Sequence, residues 1–470
     1  MKFSTSADLS KKCDLVIVPF FEGPKLGCKA SLFSAKDLGP IKTKDFKGKE
    51  KEISLVYDGD KRYLLLGLGK GTSVRRCYAE AVGFCHKKKI KNIAALVPTK
   101  GSIYDLADGL LLANYAFDKY KKEKSVLLTS CLLVGGTKTH LKECEHAAKV
   151  MQGVYLARDL INGNADEVTP ERLAKEATAL AKKYTDVKTK VLNEAEIKKE
   201  KMGLFLAVAQ SSRVRPRFIV CEYRGAPKSK EHTVVIGKGV TYDTGGLNLK
   251  PTGYMETMKA DMSGSAAAIG LIKAAAEAKI KANVTCVVAA TENAIDRDSY
   301  KPGDVFFGMN GTSVEIDNTD AEGRLTMADA LAYSVRNLKP TRMIDMATLT
   351  GAIVVALGEE RSGLFTENKS LEKALVEAGE ATGEKVWPLP MDKEYRELLK
   401  SGVADIKNCG GRQAGSITAA IFLKEFVGKV PWAHLDIAGT AYLDSGKFLG
   451  TTPASGVGVR LLIRLLEGKR

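Results

Sequence analysis

The sequence predicts an α/β protein of two domains. Short apolar runs of strand length alternate with helical stretches through most of the chain. The 470 residues exceed the roughly 150 that one domain usually takes. The helical pattern breaks at Leu160-Ile161-Asn162-Gly163-Asn164 and resumes at Thr169-Pro170. Strands alternating with helices argue for a mostly parallel central sheet covered by helices. The expectation is an N-terminal α/β domain over 1–160, ending in a connecting helix, and a larger C-terminal α/β domain over 161–470.

In the first domain, runs 14–20, 62–66, 92–97 and 125–129 have strand composition, and 74–86, 104–120 and 142–160 have helical periodicity. Gly67-Leu68-Gly69-Lys70-Gly71 follows a strand but matches dinucleotide-binding spacing poorly, because its third glycine comes one residue early. It reads as a turn. Thr169 is placed to cap a helix with Pro170 at the first helical position. In the second domain, 218–223, 233–236, 284–289, 343–346 and 434–437 read as strands. Helices are expected near 170–184, 262–279, 322–336, 367–382 and 416–427. Such folds bind ligands beyond the carboxyl ends of their strands.

Composition narrows the classes. No apolar run reaches the roughly 18–20 residues of a membrane span, so no membrane partner is expected. Met1 to Lys12 has no apolar core of signal-peptide length. Nine scattered cysteines without a C-x-x-C pair suit free thiols in a reducing compartment, so a cytoplasmic protein is expected. The net charge of +16 lies partly in Lys-rich pieces at 86–91, 119–124 and 198–201. These read as solvated helix ends, with nucleic-acid binding as a minor alternative.

Asn318-Thr319-Asp320-Ala321-Glu322-Gly323-Arg324-Leu325 carries the densest chemistry. Asp320, Glu322 and Arg324 fall at alternate positions, which converge if the segment is extended. Two bundled carboxylates repel unless something positive sits between them, and a divalent cation is the usual answer. For this motif alone, a helix cap at Asp320 is the simpler account. Upstream, Gly237-Lys238-Gly239 leads to Asp243-Thr244-Gly245-Gly246, Lys250 and Lys259-Ala260-Asp261. Asp243, Asp261, Asp320 and Glu322 supply four negative charges, enough for two divalent cations of a hydrolytic site. No H-E-x-x-H pair and no G-x-S-x-G elbow occurs, and His434 reads as a hydrogen-bonded core residue.

Together with Ala347-Thr348-Leu349-Thr350-Gly351-Ala352 and Pro431 to Gly439, these motifs resemble the leucyl aminopeptidase family across roughly 150–465. The resemblance implies a homohexameric metallo-aminopeptidase with two metal ions, usually zinc, with manganese, magnesium or cobalt able to replace one. By position, Lys238, Asp243, Asp261 and Glu322 would hold one ion. Asp243, Asp320, through its side chain and backbone oxygen, and Glu322 would hold the other. Lys238 would have to be neutral. The ions would activate water for attack on the first peptide carbonyl. Asp261 would take the substrate's free α-amino group, Lys250 the developing oxyanion. Arg324, with N–H groups near Gly323 and Leu349, would hold a bicarbonate as general base. Met258, Thr348, Gly351 and Ala438 would form an apolar pocket for leucine-like side chains. Ser263, Ser265, Tyr242 and Thr244 depart from the commonest family pattern beside the ligands.

Overall fold

The computed structural model describes residues 1–9, 13–32, 45–443 and 452–468. The chain forms two α/β units, one of Met1–Met151 and one of Gln152–Leu443 with Ala454–Arg470.

The first unit is built on a sheet in which Lys2–Ser6, Ser130–Val134, Asn92–Leu96, Leu15–Phe21 and Lys61–Gly67 lie side by side and parallel. Ile53–Asp58 closes one edge antiparallel. Leu15–Phe21 is a nearly unbroken apolar run and is buried along almost its whole length, as a strand covered on both faces requires. The expected strand at 125–129 lies instead in the segment just before the strand Ser130–Val134. Its Leu128 N–H donates to Asn114 Oδ1 at 2.8 Å, while Asn114 Nδ2 donates to the Leu128 carbonyl at 2.9 Å. A side-chain amide thus takes the place of a strand partner. The same Asn114 ends the helix Ile103–Ala113 short of the expected 120.

The second unit carries an eight-stranded sheet. Its order is Val386–Pro388, Ser362–Phe365, Trp432–Asp436, Arg342–Ala347, Thr233–Asp243, Asn283–Asn293, Arg217–Arg224 and Val187–Leu192. The four strands from Trp432–Asp436 to Asn283–Asn293 run parallel. Antiparallel joins flank them on both sides. Thr169 caps the helix Pro170–Lys183, accepting from Arg172 N.

The strand expected at 233–236 runs on to Asp243, so Lys238 lies inside it. The glycines there make room for neighbours. A Cβ at Gly237 would meet the Gly264 carbonyl oxygen at 2.5 Å, and one at Gly239 would meet Val288 Cγ1 at 2.7 Å. Two helices press on this strand, Ser263–Ala278 and Glu322–Tyr333. Every residue of Glu322–Tyr333 is buried. Its polar residues therefore need internal partners. Asp329, for example, accepts from Phe205 N at 2.9 Å and Met309 N at 2.7 Å. The parallel strands end at Asp243, Asn293, Ala347 and Asp436, which brings their carboxyl ends to one edge of the sheet.

Candidate metal centre

Asp243 ends its strand, and its Oδ1 accepts from Gly245 N at 2.9 Å and Asn293 Nδ2 at 2.8 Å. Asp261 follows a short 3-10 turn, Met258–Ala260, and precedes the helix Ser263–Ala278. Thr348 Oγ1 donates to Asp261 Oδ1 at 2.7 Å. Glu322 opens the helix Glu322–Tyr333, and Asp320 lies two residues before it. Asp243, Asp320 and Glu322 each present a carboxylate oxygen within 4.8 Å of the others.

Asp320, Glu322 and Arg324 converge differently from the expectation. The segment is not extended: Glu322 and Arg324 occupy the first turn of the helix. Residues two apart on a helix do not share a face. Arg324 donates from Nη1 to the Asn408 carbonyl at 2.7 Å. Asp320 does not cap the helix; the N-cap position is Ala321, without a side-chain bond. The Asp320 carboxylate instead pairs with Lys250.

Two lysines complete the cluster. Lys238 Nζ lies 2.8 Å from Asp261 Oδ2 and 2.9 Å from Glu322 Oε1. Lys250 Nζ lies 2.9 Å from Asp243 Oδ2. Lys238 Nζ also donates to the Thr348 carbonyl at 3.0 Å, so its three N–H groups serve two carboxylates and one backbone oxygen. Asp261 Oδ2, Asp320 Oδ1 and Glu322 Oε1 meet only the lysine ammonium groups, and Glu322 Oε2 is buried with neither a hydrogen bond nor an ion pair among the described residues. Burying a carboxylate oxygen without a partner is costly, as at Glu322 Oε2. Oxygens converging from Asp243, Asp320 and Glu322 fit hard divalent cations.

The electrostatics agree. Burial raises the carboxyls of Glu322, Asp261 and Asp320 above the usual carboxylate range, and the charge of Asp243 adds to this, against Lys238 and Lys250. Burial alone would lower the two lysines, but the carboxylates around them outweigh it and raise both. Ammonium groups thus stand among the carboxylates. A neutral Lys238 ligand requires cations to take over those carboxylates.

The remaining expected residues surround the cluster. Arg324 is 6% exposed, and its Nε has no hydrogen-bond partner among the described residues. Burial lowers its pKa, while Cys409, Glu322 and Asp436 act to raise it. The Leu349 N–H is donated to Asp436 Oδ1 at 3.1 Å, and Asp436 also accepts from Thr350 Oγ1 and Ala438 N. Met258, Thr348 and Ala438 are partly exposed, and a Cβ on Gly351 would meet open space. Gly323 lies directly over Lys238. His434 is fully buried, with Nδ1 bonded to Asp345 and its ring stacked on Phe365, a core residue as expected.

Several polar residues that hold this site were absent from the sequence expectations. Asn293 Nδ2 bonds Asp243 and the Thr319 carbonyl, and Tyr300 Oη donates to that carbonyl at 2.7 Å. Thr319 Oγ1 donates to the Gly245 carbonyl at 2.7 Å. Asn408 bonds the same loop. Asn293 and Asn408 are remote in sequence from the loop they hold, and no local spacing marks them.

Comparison with known proteins gives this geometry a family. The profile described as cytosol aminopeptidase family, catalytic domain, matches residues 155–463, and the N-terminal domain profile of the same family matches 17–124. The chain belongs to the cytosol aminopeptidase family. A probable cytosol aminopeptidase of Protochlamydia amoebophila is 46% identical over 99% of both chains. A point mutant of tomato leucine aminopeptidase superposes with a TM-score of 0.88 at 33% identity, over 99% of this chain and 96% of that one. The bottromycin maturation enzyme BotP in complex with Mn superposes with a TM-score of 0.86 at 29% identity, over 97% and 99%. The chain is therefore a metal-dependent aminopeptidase, a hydrolase that uses divalent cations. These relatives lend no support to the nucleic-acid alternative. Among the described residues, no helix is long and apolar enough to cross a membrane.

Proposed function

We propose that Lys238, Asp243, Asp261, Asp320 and Glu322 hold two divalent cations, and that the enzyme removes leucine-like residues from the N-terminus of peptides. The observation that carries this reading is the convergence at the strand ends of carboxylate oxygens from Asp243, Asp320 and Glu322 within 4.8 Å of one another, with Glu322 Oε2 buried and unpaired among the described residues. Bound there, the cations would lower the pKa of a water and polarise the scissile carbonyl.

The protein's own groups do the rest. Asp261, oriented by Thr348 Oγ1, receives the substrate's α-amino group, which restricts cleavage to the first peptide bond. Lys250 is the more exposed of the two lysines, at 14%. Lys250, held here by Asp243 and Asp320, would donate to the carbonyl oxygen as negative charge develops once those carboxylates serve as ligands. Arg324 offers its unpartnered Nε to a small anion such as bicarbonate, which would receive the water's proton. A first-turn N–H at Gly323 adds a donor, since the opening N–H groups of a helix have no partner within it. Met258, Thr348, Gly351 and Ala438 provide an apolar, partly open surface for the first side chain.

Zinc at both positions, with manganese, magnesium or cobalt able to replace one, follows the family resemblance, as do a cytoplasmic setting and a homohexamer. The test is metal content. Metal-stripped wild-type protein dialysed against zinc or manganese should retain two ions per chain, and Asp320→Ala one. Two retained ions in Asp320→Ala would remove Asp320 from the ligand set.

A further inference from the structure

The geometry points to Asn408 as a positioning residue that sets both Asp320 and Arg324. Asn408 is fully buried in the catalytic unit. It follows a two-residue strand, Ile406–Lys407, that pairs parallel with Ser313–Glu315, and its own N–H donates to the Glu315 carbonyl at 2.9 Å. This pairing fixes Asn408 opposite the chain as it leaves that strand for the 317–324 segment.

From there Asn408 grips the segment at both ends. Its Oδ1 accepts from Asp317 N at 2.8 Å and Asn318 N at 3.1 Å, and its Nδ2 donates to the Asn318 carbonyl at 2.7 Å. Its backbone carbonyl accepts from Arg324 Nη1 at 2.7 Å. Asp320 and Glu322 lie between the two grips. Nδ2 also donates to the Ala321 carbonyl at 3.5 Å, so the side chain accepts from two N–H groups and donates to two carbonyls at once. A carboxamide does this, whereas a carboxylate has no donor and a hydroxyl cannot reach all four. Asn408 touches neither cation position nor substrate. It acts through the residues it holds, and outer residues that orient ligands typically govern affinity and rate by about 10–100-fold.

The inference rests on the proposed roles of Asp320 and Arg324, and the experiment separates the two. Metal-stripped full-length wild type, Asp320→Asn, Asn408→Ala and Asn408→Asp are titrated with manganese, with free Mn2+ followed by electron paramagnetic resonance. The kcat and KM for leucine p-nitroanilide and the thermal midpoint are measured alongside. Asn408→Asp keeps the two accepted bonds and loses the donated ones, so it decides the matter if Asn408→Ala does not fold. The expected result is that one manganese equivalent binds about 10–100-fold more weakly in the Asn408 variants. At saturating manganese, kcat should stay depressed while KM changes little, because Arg324 remains displaced. Wild-type manganese affinity and wild-type kcat in folded Asn408 variants, with only a lowered midpoint, would overturn the inference. If Asp320→Asn itself binds both equivalents like wild type, the site assignment fails and the inference with it.

Discussion

Gly323 sits so close to Lys238 that a Cβ at position 323 would lie 2.7 Å from the lysine Nζ. The glycine at the start of the helix therefore serves the lysine inside the neighbouring strand. Lys238 cannot retreat easily, because it is 4% exposed and its Nζ is bonded to the Thr348 carbonyl.

Gly323→Ala should displace Lys238 from Asp261 and Glu322. Misplacing a catalytic group by about 1 Å can cost roughly 100-fold. A loss of that order in kcat/KM is expected, with folding retained. Circular dichroism and leucine p-nitroanilide kinetics check this, and wild-type kinetics in the variant would show that Lys238 has room to move.

Lys250→Ala removes the cation nearest Asp243 and Asp320. If Lys250 meets the developing oxyanion, kcat should fall about 100–1,000-fold, as for loss of an oxyanion donor. KM should change far less. A raised KM with unchanged kcat would place Lys250 in ground-state binding instead.

The residues proposed as ligands could be picked from the sequence because each lies in a short motif whose spacing survives without the fold. Asp320, Glu322 and Arg324 stand out by their alternation, which signifies a helix start rather than an extended strand. The strand to Asp243 was cut short at Ile236 because Gly237 and Gly239 look like turn residues. Their purpose is close packing against Gly264 and the Val288–Ala290 backbone and side chains, which only the fold displays. Asn293, Tyr300 and Asn408 were missed because the groups they bond lie tens of residues away. The run at 125–129 has strand composition, but Asn114 claims its backbone first.

Asp329 offers a prediction away from the metal ligands. Asp329→Ala would strand the N–H groups of Phe205 and Met309. At about 1–3 kcal/mol for each buried donor, a loss of about 2–6 kcal/mol is expected in denaturant unfolding of metal-stripped protein.

The same residue should respond to pH. Burial raises the Asp329 carboxyl to about 7, against backbone N–H groups of Phe205, Met309 and Leu204 that favour the anion. Its folded pKa lies above its unfolded value, so the folded state keeps a proton that the unfolded chain releases. Stability from this group is present below about pH 4 and is lost as pH rises to about 7. Relative to Asp329→Asn, wild-type unfolding free energy should fall across that window and level off above it. A difference independent of pH would mean that Asp329 is ionised throughout.

The most direct measurement is hydrolysis of leucine p-nitroanilide against its N-acetyl form, with manganese or zinc supplied, after chelation, and with Asp320→Ala. A di-metal site that recognises a free α-amino group predicts cleavage of the free-amine substrate alone, abolished by chelation, restored by metal, and lost in Asp320→Ala. Equal cleavage of the acetylated substrate, or full activity in the folded Asp320→Ala protein, would contradict it.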